Sequence, residues 1–286
     1  MTPSTDPAPS TPLAGRAALV TGGGTGIGRA CAEVLVADGA SVTILGRRAE
    51  VLEAATAELA ADAPDGAKVR WVAADVAEEE QVAAAVATAA EEGGLDLAVL
   101  SAGTGTLGPI TSLPLDEWRR VVDTNLTGSF LALKHAAAAM VATGRGGAIV
   151  AVSSIAGQRS HRWMAPYCAS KAGLDALVEV AADELGRQGI RVCSVRPGVV
   201  STELGDHLLG DPAIVADYLA QMPVARPGEV GDVAAAVRFL LGPESGWITG
   251  VSLNVDGGHH VRRGPDLDGL ARSLYGDEAV DGPPAT

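Results

Sequence analysis

The sequence predicts an α/β fold: one doubly wound domain with a seven-stranded parallel sheet and helices on both faces. Short β-rich runs alternate with longer Ala-rich helical stretches, as in a parallel sheet covered on two sides. Most of the short runs are continuously apolar instead of alternating, which suits strands buried on both faces. A glycine-rich turn leads straight from the first run into a helix.

Taken in order, a Pro/Ser/Thr-rich tail over residues 1–13 precedes a main unit over 14–260 and an extension over 261–286. The candidate strands are AALV (17–20), SVTIL (41–45), VRWVA (69–73), LAVL (97–100), AIVAV (148–152), RVCSV (191–195) and VSLNV (251–255). Helical stretches are expected at 28–38, 48–61, 78–92, 116–142, 166–188 and 229–241. Right-handed crossovers would wind these in two directions and leave a crevice at the carboxyl ends of the middle strands. Residues 202–224 interrupt the rhythm and mix Leu204, Leu208, Leu209, Tyr218 and Met222 with polar residues. They suit a substrate-covering flap, or else an ordinary packed connection. In the extension, Leu267, Leu270, Ala271 and Leu274 form a helical apolar stripe with Asp266 as a possible cap. That stripe needs a surface, and a neighbouring subunit is the expected one.

Composition excludes several function classes. A net charge of −14 over 286 residues, with a pI near 4.7, opposes nucleic acid or an anionic membrane as partner, since both reward clustered Lys and Arg. No run approaches the roughly 18 apolar residues of a membrane span. The first ten residues lack the basic start and apolar stretch of a signal peptide, so a cytoplasmic location is expected. Cys31, Cys168 and Cys193 are odd in number and far apart, which supports neither a disulfide framework nor a metal site.

The turn after the first strand reads Thr21-Gly22-Gly23-Gly24-Thr25-Gly26-Ile27-Gly28. Glycines there let the backbone approach a pyrophosphate, whose charge the helix N-terminus then meets. A purely structural glycine turn is the alternative, and the G-x-x-x-G-x-G spacing differs from both the usual dinucleotide fingerprint and a P-loop. Other residues follow in a recognisable order. They are Asp75-Val76 after the third strand, Ser101-Ala102-Gly103 after the fourth, Asn125 in DTNLTG, Ser154 in VSSIAG, Tyr167 and Lys171 in YCASK, and Pro197-Gly198 with Val200 and Thr202 in RPGVVST.

Together these residues resemble the short-chain dehydrogenase/reductase family over roughly residues 15–258. The resemblance implies a Rossmann-like fold and an oxidoreductase moving a hydride between a nicotinamide dinucleotide and a carbonyl or secondary alcohol. The catalytic members it implies are Asn125, Ser154, Tyr167 and Lys171. For the coenzyme it implies Gly22, Thr25, Gly26, Ile27, Gly28, Asp75, Val76, Ser101, Ala102, Gly103, Pro197, Gly198, Val200 and Thr202, with Tyr167 and Lys171 touching it as well. Ser101 departs from the family's Asn-Ala-Gly, with a small consequence expected because that turn acts through its backbone. A homotetramer, assembled through the fourth and fifth helices and the last strand, is the family's usual form. A catalytically inactive dinucleotide-binding scaffold or sensor is the alternative function, which the complete tetrad opposes.

Chemistry gives these residues roles. Reduction of a carbonyl needs a proton donor at oxygen and a group to hold that oxygen. Tyr167 and Lys171, four residues apart on a helix, share a face. A neighbouring ammonium and a positive nicotinamide ring would both favour phenolate, so the Tyr167 pKa is expected to fall. Ser153 competes with Ser154 for the orienting hydroxyl, and the family register favours Ser154. His161, alone in the loop before Tyr167, is expected to be solvated, and Cys168 is not expected to act as nucleophile. NADP(H) is favoured over NAD(H). Gly46 ends the second strand where NAD-selective enzymes place a carboxylate, and Arg47 offers a fork of donors to a 2′-phosphate. Thr25 and Glu50 stand against that choice, and a solvated helix start is the alternative for Arg47 and Arg48. The substrate is a small-molecule carbonyl or alcohol whose identity these residues leave open.

Overall fold

The computed structural model describes residues 11–203, 205, 209–262 and 266–282. The calls on Leu204 and Leu208 of the flap, and on most of the N-terminal tail, lie outside them. Seven strands, β1 (Ala17–Thr21), β2 (Ser41–Gly46), β3 (Val69–Ala73), β4 (Leu97–Leu100), β5 (Gly147–Val152), β6 (Ile190–Pro197) and β7 (Ser252–Val255), form one sheet in the order β3-β2-β1-β4-β5-β6-β7. Every neighbouring pair is parallel. β1 pairs on one side with β2 and on the other with β4, so the chain reverses its winding there and opens a crevice beyond the strand ends.

Burial follows position in the sheet. β4 is buried throughout, whereas the edge strand β3 keeps Trp71 partly exposed. The helices include α1 (Gly26–Ala37), α2 (Ala49–Ala61), α3 (Glu79–Ala90), α4 (Leu115–Val122), α5 (Gly128–Thr143), α6 (Ala165–Leu185), α7 (Pro212–Gln221), α8 (Val230–Leu241) and α9 (Asp268–Tyr275). One apolar cluster joins α1, α2 and α8 to one sheet face, and another joins α3, α5 and α6 to the other. Arg16 and Arg145 both meet the buried carboxylate of Asp96, at 3.1 and 3.0 Å. This ties the start of β1 to the connection leading into β5.

Two expectations need correction. The stretch 116–142 is not one helix: α4 and α5 are separated by a π-helical turn, Asp123–Thr127. The extra residue per turn aims Asn125 inward, where it is fully buried, and such bulges recur at functional sites. The C-terminal stripe docks on its own chain. Leu267 and Ala271 are buried there, whereas Leu274 is exposed. Three side-chain ties hold α9 in place. Arg162 pairs with Asp268, Asp217 Oδ2 accepts the Asp266 N–H at 2.6 Å, and the Tyr275 hydroxyl donates to the Leu107 carbonyl. Asp266 Oδ1 also accepts the Asp268 N–H at 3.0 Å, at the start of the helix.

Candidate active site

The glycine loop turns from β1 into α1. Gly22 has φ +66, a conformation that disfavours any side chain. A methyl on Gly28 would stand 2.3 Å from the Gly22 carbonyl oxygen, so the helix rests directly on the turn. Thr25 starts α1 without capping it through its side chain. The first amides of α1 are therefore free of a side-chain cap from Thr25, as anion binding at a helix N-terminus requires. Thr21 Oγ1 accepts the Ser101 and Ala102 N–H groups at 3.0 and 3.1 Å, clamping the ends of β1 and β4 together. Since Ser101 takes part through its backbone, its departure from the family residue leaves this clamp intact.

A crevice of about 210 Å³ opens above these ends. Of the expected coenzyme residues, Gly22, Thr25, Arg47, Asp75, Val76, Ala102 and Gly103 line it. Gly26, Ile27, Gly28, Ser101, Pro197, Gly198, Val200, Thr202, Tyr167 and Lys171 are not on its lining. Some of these support it from behind: Ile27 packs its side chain on the sheet core, and a methyl on Gly26 would meet the Thr202 methyl at 3.4 Å. Val51, Leu52, Thr104 and Thr124 line the crevice without having been expected. Thr124 falls within DTNLTG, whereas no motif letter marks Val51, Leu52 or Thr104, the last being next to Gly103. At the end of β2 Arg48 is paired with Glu203 at 3.2 Å. The exposed Arg47 has no ion-pair partner among the described residues. The lining fits a dinucleotide: an apolar slot between Leu52 and Val76, bare amides at the loop, and an uncommitted guanidinium at one end.

Next to the crevice the four tetrad positions converge. Ser154 ends β5 with extended backbone, and its Oγ accepts the Ala156 N–H at 3.1 Å. Ser153 Oγ instead donates to the Lys171 carbonyl at 3.2 Å. With Ser153 turned to the Lys171 carbonyl, Ser154 is the serine that acts on the Tyr167 phenol, favouring its ionised form. Lys171 Nζ lies 5.8 Å from the Tyr167 ring centre and donates to the Val152 carbonyl at 2.8 Å. Asn125 brackets Thr104, accepting its N–H at 2.8 Å and donating to its carbonyl at 2.9 Å, and also donates to Ser170 Oγ at 3.1 Å. A methyl on Gly103 would come within 3.5 Å of Asn125 Oδ1 and 3.6 Å of Lys171 Nζ. Both are ordinary contact distances, so the two side chains stand about one methyl's width from this turn.

The electrostatics overturn one expectation. Burial pushes the Tyr167 phenol above its ordinary value, against the opposing hydrogen bond from Ser154. Burial also pulls the Lys171 ammonium down to about 8, with the Asp175 carboxylate opposing that fall. Desolvation outweighs the Ser154 contribution, and Lys171, whose Nζ lies 5.8 Å from the ring centre and donates to the Val152 carbonyl, does not reverse it. His161 also departs from its expected solvation. It is buried, its Nδ1 lies 2.9 Å from the Arg159 carbonyl, and its ring meets that of His259 edge-on at 6.3 Å. Tyr218 stacks edge-on to His259 at 5.7 Å. Burial raises the Cys168 thiol, as an inert packed cysteine requires. Among the described residues no cluster of three His, Cys, Asp or Glu could hold a metal, and no helix is long and apolar enough to cross a membrane.

Sheet order and the glycine loop define a Rossmann-like scaffold, and comparison with known proteins gives its family. A family model described as "Enoyl-(Acyl carrier protein) reductase" matches residues 22–260. A short-chain type dehydrogenase/reductase from Mycobacterium ulcerans superposes with a TM-score of 0.91 at 41% identity, covering 95% of this chain and 99% of its own. The 2,5-dichloro-2,5-cyclohexadiene-1,4-diol dehydrogenase of Sphingobium indicum is 37% identical over 249 residues, 86% of this chain and 97% of that protein. D-erythrulose reductase of Gallus gallus is 39% identical over 253 residues, 88% of this chain and 99% of that protein. The chain belongs to the short-chain dehydrogenase/reductase family of oxidoreductases.

Proposed function

We propose that this protein transfers a hydride between NADP(H) and the carbon of a small carbonyl compound or secondary alcohol, with Tyr167 as general acid/base. The observation that carries this reading is the gathering of Ser154 and Lys171 around the Tyr167 ring, with Lys171 Nζ 5.8 Å from its centre, beside the crevice lined by the glycine loop. When bound, the coenzyme supplies or accepts the hydride, and its oxidised ring adds a positive charge that favours phenolate.

The chain's own residues do the rest. Ser154 Oγ and the Tyr167 hydroxyl converge on the substrate oxygen and fix its position. In reduction Tyr167 gives its proton to that oxygen, and in oxidation it takes one. Lys171, poised near pH 8, restores the phenol's proton and meets the coenzyme's nicotinamide ribose. Asn125 holds the Thr104 backbone and with it the turn at Gly103. The buried rings of His161, Tyr218 and His259 keep water from this side.

Arg47 supports the coenzyme choice, since it is exposed at the crevice and uncommitted, with no carboxylate at Gly46. The names of the relatives, a cyclic diol dehydrogenase and an erythrulose reductase, support a small oxygenated substrate. A net charge of −14 argues against an acidic carrier protein as the substrate's bearer. A coenzyme-coupled screen of ketones and secondary alcohols of graded size and polarity tests the proposal. Absence of turnover with every one, in a protein that binds NADP(H), would leave the inactive scaffold as the better reading.

Assembly as a homotetramer in the cytoplasm completes the proposal. Trp118, Phe130 and Val180 are exposed on α4, α5 and α6, as are Phe239, Trp247 and Leu253 around α8 and β7. These are two apolar faces of the kind that subunits cover. Sedimentation of a monomer at micromolar concentration would refute it.

A further inference from the structure

The helix that carries Tyr167 and Lys171 also carries Asp175, four residues further along the same face of α6. Asp175 is buried on the side of the helix that meets the sheet, beside Leu174 and Val178 of the apolar cluster. Its partners come from the strands. Arg196 of β6 donates from Nε to Asp175 Oδ2 at 2.7 Å, and Ser194 Oγ of the same strand donates to Oδ1 at 2.9 Å. Ser252 of β7, paired in register with Ser194, places its hydroxyl 3.4 Å from Oδ1. Arg196 is itself largely withdrawn from solvent, with 17% of its side chain exposed. Desolvation offsets most of the attraction in such a pair, so its contribution to stability is small.

The same carboxylate meets the turn that begins at Ser154. A methyl on Gly157, the last residue of that turn, would stand 2.9 Å from Asp175 Oδ2 and 2.9 Å from the Lys171 carbonyl carbon. The turn and the Lys171–Asp175 stretch of α6 therefore interlock with no room for a side chain between them. Lys171 has two further ties, its Nζ donating to the Val152 carbonyl at 2.8 Å and its own carbonyl accepting from Ser153 Oγ at 3.2 Å. These fasten α6 to β5, while Asp175 fastens it to β6 and β7. The titratable and charged groups around the Lys171 ammonium are Tyr167 and Asp175 on its own helix and Arg196, paired with Asp175, on β6. Asp175 favours the ammonium, against the pull of burial.

We propose that Asp175 is a positioning residue of the reaction centre: clamped by Arg196 and Ser194, it fixes the face of α6 that presents Tyr167 and Lys171 to Ser154, and it sets a negative charge one helical turn from Lys171. Asp175 is not on the lining of the crevice, and it acts through Lys171. This inference rests on the oxidoreductase reading above and adds a residue to the same site.

The lysines supply the test. The chain has three, Lys68, Lys134 and Lys171, so full-length protein carrying isotope-labelled lysine gives few side-chain signals, and that of Lys171 is assigned by its loss in Lys171→Met. Its titration midpoint is followed by NMR in the wild type, in Asp175→Asn, and in Asp175→Asn combined with Arg196→Met. The single variant keeps an oxygen for Ser194 but leaves the Arg196 cation without its counter-charge, so its Tm should fall. The double variant removes both charges and should recover most of that loss. The wild-type midpoint is expected near pH 8. In both variants it should fall by about one pH unit, the lower end of what a neighbouring charge does. Loosening of the helix alone has the opposite sign, because water reaching the ammonium raises its midpoint towards the ordinary lysine value. With NADPH and a ketone turned over in the coenzyme-coupled screen, kcat should begin to fall at a correspondingly lower pH, with the KM for the ketone little changed. A Lys171 midpoint unmoved or raised in the double variant overturns the proposal, as does a lowered midpoint with an unaltered pH profile of kcat. A lowered midpoint in a protein that turns over no ketone upholds the tie between Asp175 and Lys171 and instead refutes the oxidoreductase reading.

Discussion

Replacing Arg47 by Ala tests the coenzyme choice at the point where it is made. The guanidinium stands exposed at the end of β2, on the lining of the crevice and free of carboxylate partners among the described residues. Its neighbour Arg48 is already held by Glu203 at 3.2 Å. One fork of donors to a 2′-phosphate comprises charge-assisted hydrogen bonds worth about 1.5–3 kcal/mol. Solvent and salt reach this position, so the lower half of that range applies, and about 1.5–2 kcal/mol corresponds to roughly 10–30-fold in affinity. Arg47→Ala should therefore lower kcat/KM for NADP(H) by that factor and change the value for NAD(H) by less than about twofold. Fold stability should move by no more than about 0.5 kcal/mol, as expected for an exposed residue without a partner. Arg48→Ala should cost less, while Glu203→Ala should raise NADP efficiency by freeing Arg48. The assay is initial-rate kinetics with both coenzymes at two salt concentrations, the NADP loss shrinking at the higher one. A wild type that prefers NAD, with a preference untouched by Arg47→Ala, would refute the reasoning.

Tyr167→Phe removes the proton donor and little else from the crevice, so turnover should fall by at least about 10²–10⁴-fold with the NADP(H) dissociation constant nearly unchanged. Activity near wild type would contradict the assignment, as would a parallel loss of coenzyme affinity. Lys171 predicts a pH dependence of stability. Its folded value of about 8 lies below the ordinary lysine value of 10.5, so between these limits the unfolded chain binds more protons. The group's contribution to stability should therefore rise with pH across that window. The difference in Tm between coenzyme-free wild type and Lys171→Met, read by calorimetry from pH 7 to 10, should move in favour of the wild type; a flat difference would contradict the buried, depressed ammonium. Gly28→Ala would place a methyl 2.3 Å from the Gly22 carbonyl oxygen. It should destabilise by about 1–3 kcal/mol as other overpacked sites do, lowering Tm and weakening coenzyme binding together. Unaltered dinucleotide affinity would show that the loop tolerates displacement.

Periodicity and local chemistry made much of this protein readable in its sequence. Each strand stands within a residue or two of its apolar run, because burial on both faces forces continuous hydrophobicity upon the central strands. The glycine loop was legible for a similar reason, since its close approach to α1 admits no side chain. Tyr167 and Lys171 share a helix face by spacing alone. What contacts between distant segments set was not legible. The π-turn at Asp123–Thr127 exists where Asn125 reaches Thr104 and Ser170, partners that 3.6-residue periodicity does not reveal. His161 looked like a loop residue, but His259, 98 positions away, helps bury it. The direction of the Tyr167 shift depends on desolvation by the whole surrounding fold, which outweighs the Ser154 hydroxyl acting on the phenol. The C-terminal stripe announced that it needed a partner surface. Only the tertiary structure decided that the surface belongs to its own chain, because Asp217, Leu107 and Arg162, which hold α9 in place, are separated from it by 49 to 168 residues.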